Sequence, residues 1–238
     1  MIRYCCFLLS ICLTVLACEE RVEEPASRPV PSTPAPVETP KTEAPPAPSA
    51  APIDPALLEP DKATDKAPAK FKVKFSTTKG DFVVEVTRAW APLGADRFYN
   101  LVKLGFFTDI GFFRVVPDFV VQFGIHGNPK VSKVWKNASI KDDKKSKHSN
   151  KKGTLTFAKG GPDSRTTQLF INYKDNARLD EMGFPPIGQV IEGMDAVEAI
   201  NQEYREKPEQ AMIEHSGNSY LRDIFTRLDY IKSATLVK

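Results

Sequence analysis

The sequence predicts a mainly β domain, antiparallel and closed into a barrel or folded as a sandwich, with a few helices packed at its ends. Three observations carry this. Fourteen of the 15 phenylalanines lie at or after Phe71. All 13 glycines lie between Gly80 and Gly217. Within that stretch short apolar runs recur, each bounded by Gly, Pro, Asp or Asn. Short strands at close spacing favour a barrel or sandwich over a doubly wound sheet.

The elements follow in order. Phe71, Val73 and Phe75 alternate with Lys72 and Lys74. Thr78-Lys79-Gly80-Asp81 supplies turn residues, and Phe82, Val84 and Val86 alternate again, so the domain opens with a β-hairpin. Pro92 suits a first helical turn. Ala95, Phe98, Leu101 and Val102 then share one helical face until Gly105 stops the run. Five apolar runs read as strands: Phe112 to Val116, Phe119 to Phe123, Leu155 to Ala158, Leu169 to Ile171 and Ile187 to Ile191. Met194, Val197 and Ile200, three apart, predict a second helix. A further helical stretch lies around Tyr220 to Phe225, and a last strand near Ile231 to Val237.

The 238 residues suffice for one core and accessory segments but not for two large domains. Thirteen of the 20 prolines fall between Pro25 and Pro68, so the chain divides into a tail and a domain of residues 71–238. Cys5, Cys6, Cys12 and Cys18 are the only cysteines. The domain therefore has no disulfide, thiol nucleophile or thiolate metal site. Residues 19–70 hold 10 acids and 6 bases; residues 71–238 hold 20 acids and 26 bases. That mildly basic balance comes without a recognition motif, and nucleic acid is not an expected partner. The most charged stretch, Lys141 to Lys152, has no interleaved aromatic and reads as a solvated loop rather than an anionic contact.

The first 17 residues have the layout of an export signal: Arg3, then an apolar run from Cys5 to Ala17 too short to span a bilayer comfortably. The run ends in Val15-Leu16-Ala17-Cys18, which resembles the lipobox of bacterial lipoproteins, so Cys18 is the expected lipidation site and membrane anchor. Acyl chains hold a protein by about 0.8 kcal/mol per buried CH₂. Residues 18–70, rich in Pro, Ala, Glu, Thr and Lys, read as a disordered tether. The expected location is the bacterial cell envelope. Glu19 lacks the aspartate that retains some lipoproteins at the inner membrane, which makes the periplasmic side of the outer membrane the default.

The usual catalytic signatures are missing: no G-x-S-x-G elbow, no phosphate loop, no H-E-x-x-H and no dinucleotide fingerprint. His126, His148 and His215 are far apart and share no acidic neighbour. What stands out is Phe112-Phe113-Arg114-Val115-Val116-Pro117-Asp118-Phe119-Val120-Val121-Gln122-Phe123-Gly124, an apolar stretch with one arginine and one glutamine. An arginine among apolar neighbours needs a partner or a purpose. The pattern alone leaves open a structural carboxylate as that partner.

This stretch is similar to the cyclophilin signature. Two further blocks agree, in order along the chain. Gly153-Thr154-Leu155-Thr156-Phe157-Ala158-Lys159 leads to Thr167-Gln168-Leu169-Phe170-Ile171-Asn172. Leu179-Asp180 with Gly183-Phe184 leads to Ile187-Gly188-Gln189-Val190. The resemblance implies a closed eight-stranded antiparallel β-barrel capped by helices, with a groove on one outer face. It also implies peptidyl-prolyl cis–trans isomerisation of proline-containing polypeptides, without cofactor or metal, by a monomer assisting the folding of exported proteins. Arg114 matches the arginine that donates to the proline nitrogen, and Gln122 the glutamine that orients it. Phe119, Val120, Phe170, Leu179 and Phe184 match the proline pocket. Ala158 and Lys159 match the peptide-binding edge, and Gln168 a second substrate-contacting glutamine. Arg178 stands where the family often has tryptophan, Phe184 where it has histidine, Val120 for methionine and Lys159 for asparagine. Loss of that tryptophan and histidine predicts weak inhibition by cyclosporin. Two other readings compete: a peptide-binding holdase with little catalysis, and a hollow barrel holding a small ligand.

Overall fold

The structure, a computed structural model, describes residues 53–144 and 146–237. The expected signal, Cys18 and the tether up to residue 52 lie outside the described residues. Residues 53–69, expected as the end of the tether, are instead packed on the domain. A 3-10 turn over Pro55–Leu58 buries Leu57, whose carbonyl accepts the Trp135 indole N–H at 2.8 Å. Farther along, Ala67 N–H donates to Asp96 at 2.8 Å, and Asn100 donates to the Asp65 carbonyl at 2.7 Å. One leucine with distant partners outweighs the surrounding proline-rich composition.

Strands β1 (Lys70–Thr77) and β2 (Gly80–Thr87) form the expected hairpin, with Phe75 opposite Phe82. Their rings stack at 4.7 Å in the core. Gly80 takes φ +124° at the turn, a conformation that side chains disfavour. Helix α1 (Pro92–Lys103) buries Ala95, Phe98, Leu101 and Val102, as its spacing predicts. Its N-cap, Ala91, offers no acceptor; Asp143 supplies one from the loop 141–152, taking N–H bonds from Leu93 and Gly94 at 2.8 and 2.9 Å.

Next come β3 (Ile110–Gly111), β4 (Arg114–Val116) and β5 (Val120–Phe123), followed by α2 (Pro129–Lys136). Strands β6 (Thr154–Phe157) and β7 (Leu169–Asn172) precede the short α3 (Arg178–Glu181). Strand β8 (Pro186–Glu192) leads to α4 (Met194–Glu198), α5 (Gln210–Ile224) and β9 (Tyr230–Val237). Helix α5 breaks at Gly217 (φ +62°), where a Cβ would lie 2.0 Å from the Gly127 carbonyl oxygen. Only glycine fits there.

The closed eight-stranded barrel is not what forms. Among the described residues nine strands make one curled antiparallel sheet, a half-barrel ordered β3-β9-β1-β2-β8-β6-β7-β5-β4. Its two ends, β3 and β4, are consecutive pieces of one segment interrupted at Phe112 and Phe113. Phe112 N–H still follows β9, donating to Asp229 O at 3.0 Å, whereas Val115 N–H donates to Arg205 O in the loop between α4 and α5. That loop occupies the edge of β4, and among the described residues no strand ladder closes the sheet. The inner face is packed with Phe75, Phe82, Phe98, Phe107, Phe123 and Phe157, all nearly inaccessible. The hollow ligand-binding barrel fails on this filled interior. Truncating one such ring to alanine is expected to cost about 3–5 kcal/mol.

Candidate active site

The site begins with a turn. Pro117 and Asp118 link β4 to β5; Phe119 N–H donates to Val116 O at 3.1 Å, and Asp118 adopts φ +55°. Proline at the first central position and a residue tolerating the left-handed region at the second suit such a turn. It sets Arg114 directly opposite Gln122, and Val116 opposite Val120. Gln122 in turn faces Phe170 on β7, which faces Thr156 on β6. The alternate row, Val115, Val121, Ile171 and Leu155, enters the main core. Strand alternation thus puts Arg114, Gln122 and Phe170 together on the outer face.

Val120, Phe170 and Leu179 form a buried cluster of their own there, edged by Phe119, Ala158 and Phe184. The Phe170 and Phe184 rings meet edge to face at 6.1 Å. Every apolar residue assigned to the proline pocket from the sequence is in this cluster. Behind it lies a frame of buried amides that no sequence motif announces. Asn150, with no exposed surface, donates to Asp180 and to the Phe184 carbonyl, each at 2.7 Å. Asn172 donates to Asn150 at 3.1 Å, and Asn176 donates to Asn172 at 2.8 Å and to the Phe119 carbonyl at 3.0 Å. These amides tie the turn carrying Phe119, the helix α3 carrying Leu179 and the loop carrying Phe184 to the sheet.

The polar rim is a chain of side chains. Arg114 Nη1 donates to Gln122 Oε1 (3.2 Å), Gln122 Nε2 to Gln168 Oε1 (2.8 Å), and Gln168 Nε2 to Gln210 Oε1 (3.1 Å). The Arg114 guanidinium carbon lies 5.8 Å from the Phe119 ring centre. Nε and Nη2 of Arg114 each approach Glu206 Oε1 at 2.7 Å. A carboxylate partner is therefore present, but it is at the surface: the Glu206 side chain is 61% exposed. No sequence pattern points to Glu206 or Gln210, which lie on the loop 201–209 and at the start of α5.

Lys159 stands at the far side, its Nζ 5.5 Å from the Phe184 ring centre and 2.8 Å from Asp142. Ala158, expected to offer backbone groups to a peptide, donates its N–H to Gln168 O at 3.0 Å. Asp142 is drawn in two directions. Burial pushes its carboxyl pKa up; hydrogen bonds from Lys159 and the Asp163 amide, with the charges of Lys159 and Arg165, outweigh it and hold the pKa below the usual aspartate value. His126 packs on Phe106, and burial lowers its pKa to about 4. Among the described residues no cluster of His, Cys, Asp and Glu is arranged to hold a metal ion.

Comparison with known proteins decides the family. A sequence model described as "Cyclophilin type peptidyl-prolyl cis-trans isomerase/CLD" matches residues 72–218. The chain belongs to the cyclophilins. It is a peptidyl-prolyl cis–trans isomerase. A peptidyl-prolyl cis-trans isomerase of Acinetobacter baylyi is 35% identical over 137 residues, covering 56% of this chain and 72% of that protein. The isomerase B of Escherichia coli is 31% identical over 136 residues, covering 54% and 82%. A crystal structure of a Cryptosporidium parvum cyclophilin superposes with a TM-score of 0.55 at 19% identity, covering 71% of this cyclophilin and 98% of that chain. The same parasite protein in the presence of the dipeptide Ala-Pro gives a TM-score of 0.52 at 18% identity, covering 70% and 99%.

Proposed function

We propose that this cyclophilin turns X–Pro bonds by hydrogen-bonding the twisted imide with Arg114 above the Phe119, Val120, Phe170, Leu179 and Phe184 pocket. The imide barrier is about 20 kcal/mol because rotation breaks amide resonance. Midway through the turn the proline nitrogen becomes pyramidal and regains a lone pair. A donor aimed at that lone pair binds the transition state better than either planar isomer. No covalent step is required.

The observation that carries this is the position of one guanidinium. Arg114 lies beside the Phe119 ring at the rim of the apolar cluster and is oriented by Gln122. Its Nε–H donates to Glu206 and one Nη1 proton to Gln122, while Nη2 lies 2.7 Å from the same Glu206 oxygen. One N–H on each terminal nitrogen is left to point to a substrate. The proline ring fills the dimple, which excludes water and strengthens the hydrogen bond. An extended peptide lies past Gln168 and along the backbone at Lys159. Lipidation at Cys18 would hold this monomeric domain at the envelope membrane, on a tether that ends near residue 53, where it meets unfolded exported proteins.

A proline-peptide isomerisation assay of the full chain beside Arg114→Ala tests the mechanism. The expected loss in kcat/KM is about 100-fold or more. Equal rates would remove Arg114 from the chemistry, and suppression of aggregation of a proline-free client without isomerisation would favour the holdase.

A further inference from the structure

We infer that Glu206, on the loop between α4 and α5, is a positioning residue for Arg114, with Gln210 holding the other end of the same line of side chains. The inference rests on the reading of Arg114 as the donor to the imide. Four residues already described run in a line, Arg114–Gln122–Gln168–Gln210. Glu206 grips Arg114 at the start of that line. Glu206 and Gln210 are four residues apart in sequence, so one stretch of chain holds both ends of the line. The loop that blocks the free edge of β4 is therefore also the part that encloses the polar rim.

The loop is built to present this carboxylate. Arg205 O accepts the Val115 N–H at 3.0 Å, next to Arg114 on β4. Lys207 N–H returns to Tyr204 O at 2.9 Å, closing a tight turn in which Arg205 takes φ +50°. A non-glycine residue in that region is uncommon and needs support from its surroundings. That support is visible: Tyr204 packs edge to face on Phe225 at 5.1 Å, its hydroxyl accepts the Arg227 N–H, and Pro208 is buried. Glu206 itself remains exposed.

An exposed ion pair contributes little to stability, so fold support does not account for the arrangement. The geometry does account for it. Glu206 takes the Nε edge of the guanidinium and Gln122 takes Nη1, while Phe119 lies beneath. A long, flexible side chain is thereby held in one orientation before substrate arrives, and its remaining donors stay clear. Such preorientation acts on turnover rather than on affinity for the planar peptide.

The test is steady-state isomerisation by the full chain carrying Glu206→Gln, Glu206→Asp or Gln210→Ala, each alone and with Arg114→Ala. For Glu206→Gln we expect kcat to fall about fivefold with KM nearly unchanged. Glu206→Asp should recover part of that loss, and Gln210→Ala should show a smaller fall, about twofold. Combined with Arg114→Ala, Glu206→Gln should cost nothing further. Unchanged kcat in Glu206→Gln, while Arg114→Ala collapses, would reduce the pair to a surface contact and overturn the inference alone. A raised kcat would make Glu206 a brake on Arg114 and overturn it too. An equal fall with and without Arg114 would mean that Glu206 acts on the fold rather than on the guanidinium, and the inference would fail. Full activity in Arg114→Ala would overturn this inference together with the reading beneath it.

Discussion

Two cations flank the apolar pocket, and they are held in opposite ways. Arg114 lies 5.8 Å from the Phe119 ring centre, Lys159 5.5 Å from that of Phe184. Each has a carboxylate within 2.8 Å. The Arg114 partner, Glu206, is mostly exposed, whereas the Lys159 partner, Asp142, is 26% exposed and bound on several sides. Asp142 also meets the Asp163 amide at 3.3 Å and the guanidinium of Arg165, whose side chain is 1% exposed. Arg165 is held in turn by Asp143 and by the Lys141 carbonyl. One flank is a guanidinium with donors to spare beside water. The other is a neutralised network that fixes a loop. Proximity to an aromatic ring does not distinguish the two cations; the state of their partners does.

Experiments can break that contrast. The largest effect expected is on Asp142→Ala, which leaves the buried Arg165 with one acidic partner fewer; urea unfolding should show a loss of about 3 kcal/mol. Its kcat/KM, measured where the variant is folded, should stay within about threefold of the parent. A comparable fall in turnover would mean that the Lys159 flank takes part in the chemistry.

Next in size is Arg114→Lys, which keeps the charge and loses the planar fork. The expected drop in kcat/KM is about 20-fold, with stability altered by under about 0.5 kcal/mol. Wild-type rates in this variant would show that charge alone suffices. A smaller effect concerns acid. Because the folded-state pKa of Asp142 is lowered, its carboxylate contributes stability that is full above the ordinary value near 3.8 and is lost as pH falls through the lowered value. Thermal melts should therefore decline in that acid range, and less steeply in Asp142→Asn. An identical decline in the variant would place the acid sensitivity elsewhere. Smallest is the response to cyclosporin: with Arg178 and Phe184 at the positions where the family often has tryptophan and histidine, inhibition should be micromolar or weaker. Nanomolar inhibition would show that neither residue matters to the drug.

Much of this is readable from the chain, for identifiable reasons. The β1–β2 hairpin and α1 follow from local alternation and a helical stripe, signals confined to a few residues. The pocket residues lie within three short blocks, so a family signature can carry them. The half-barrel is not legible because closure depends on what occupies the edge of β4, and Arg205 lies 90 positions away from Val115. Glu206 is hidden for the same reason. Helix α2 does have local signals: Asn128 caps it and Pro129 opens it, with Val131 and Trp135 four apart on its buried face. The acids of the loop 141–152 look solvated because nothing nearby predicts Arg165 turning inward to meet them.

One consequence of the strand order concerns how the molecule is made. Strand β9, the last of the nine to be synthesised, sits between β1, the first, and β3. A nascent chain lacking it leaves one whole side of the β1–β2 hairpin unpaired, including the edge of β1 where Lys74 and Ser76 later lie opposite Thr235 and Ser233. The sheet cannot be completed until residues 230–237 have emerged from the ribosome, and until then this folding catalyst has an unpaired edge that invites aggregation.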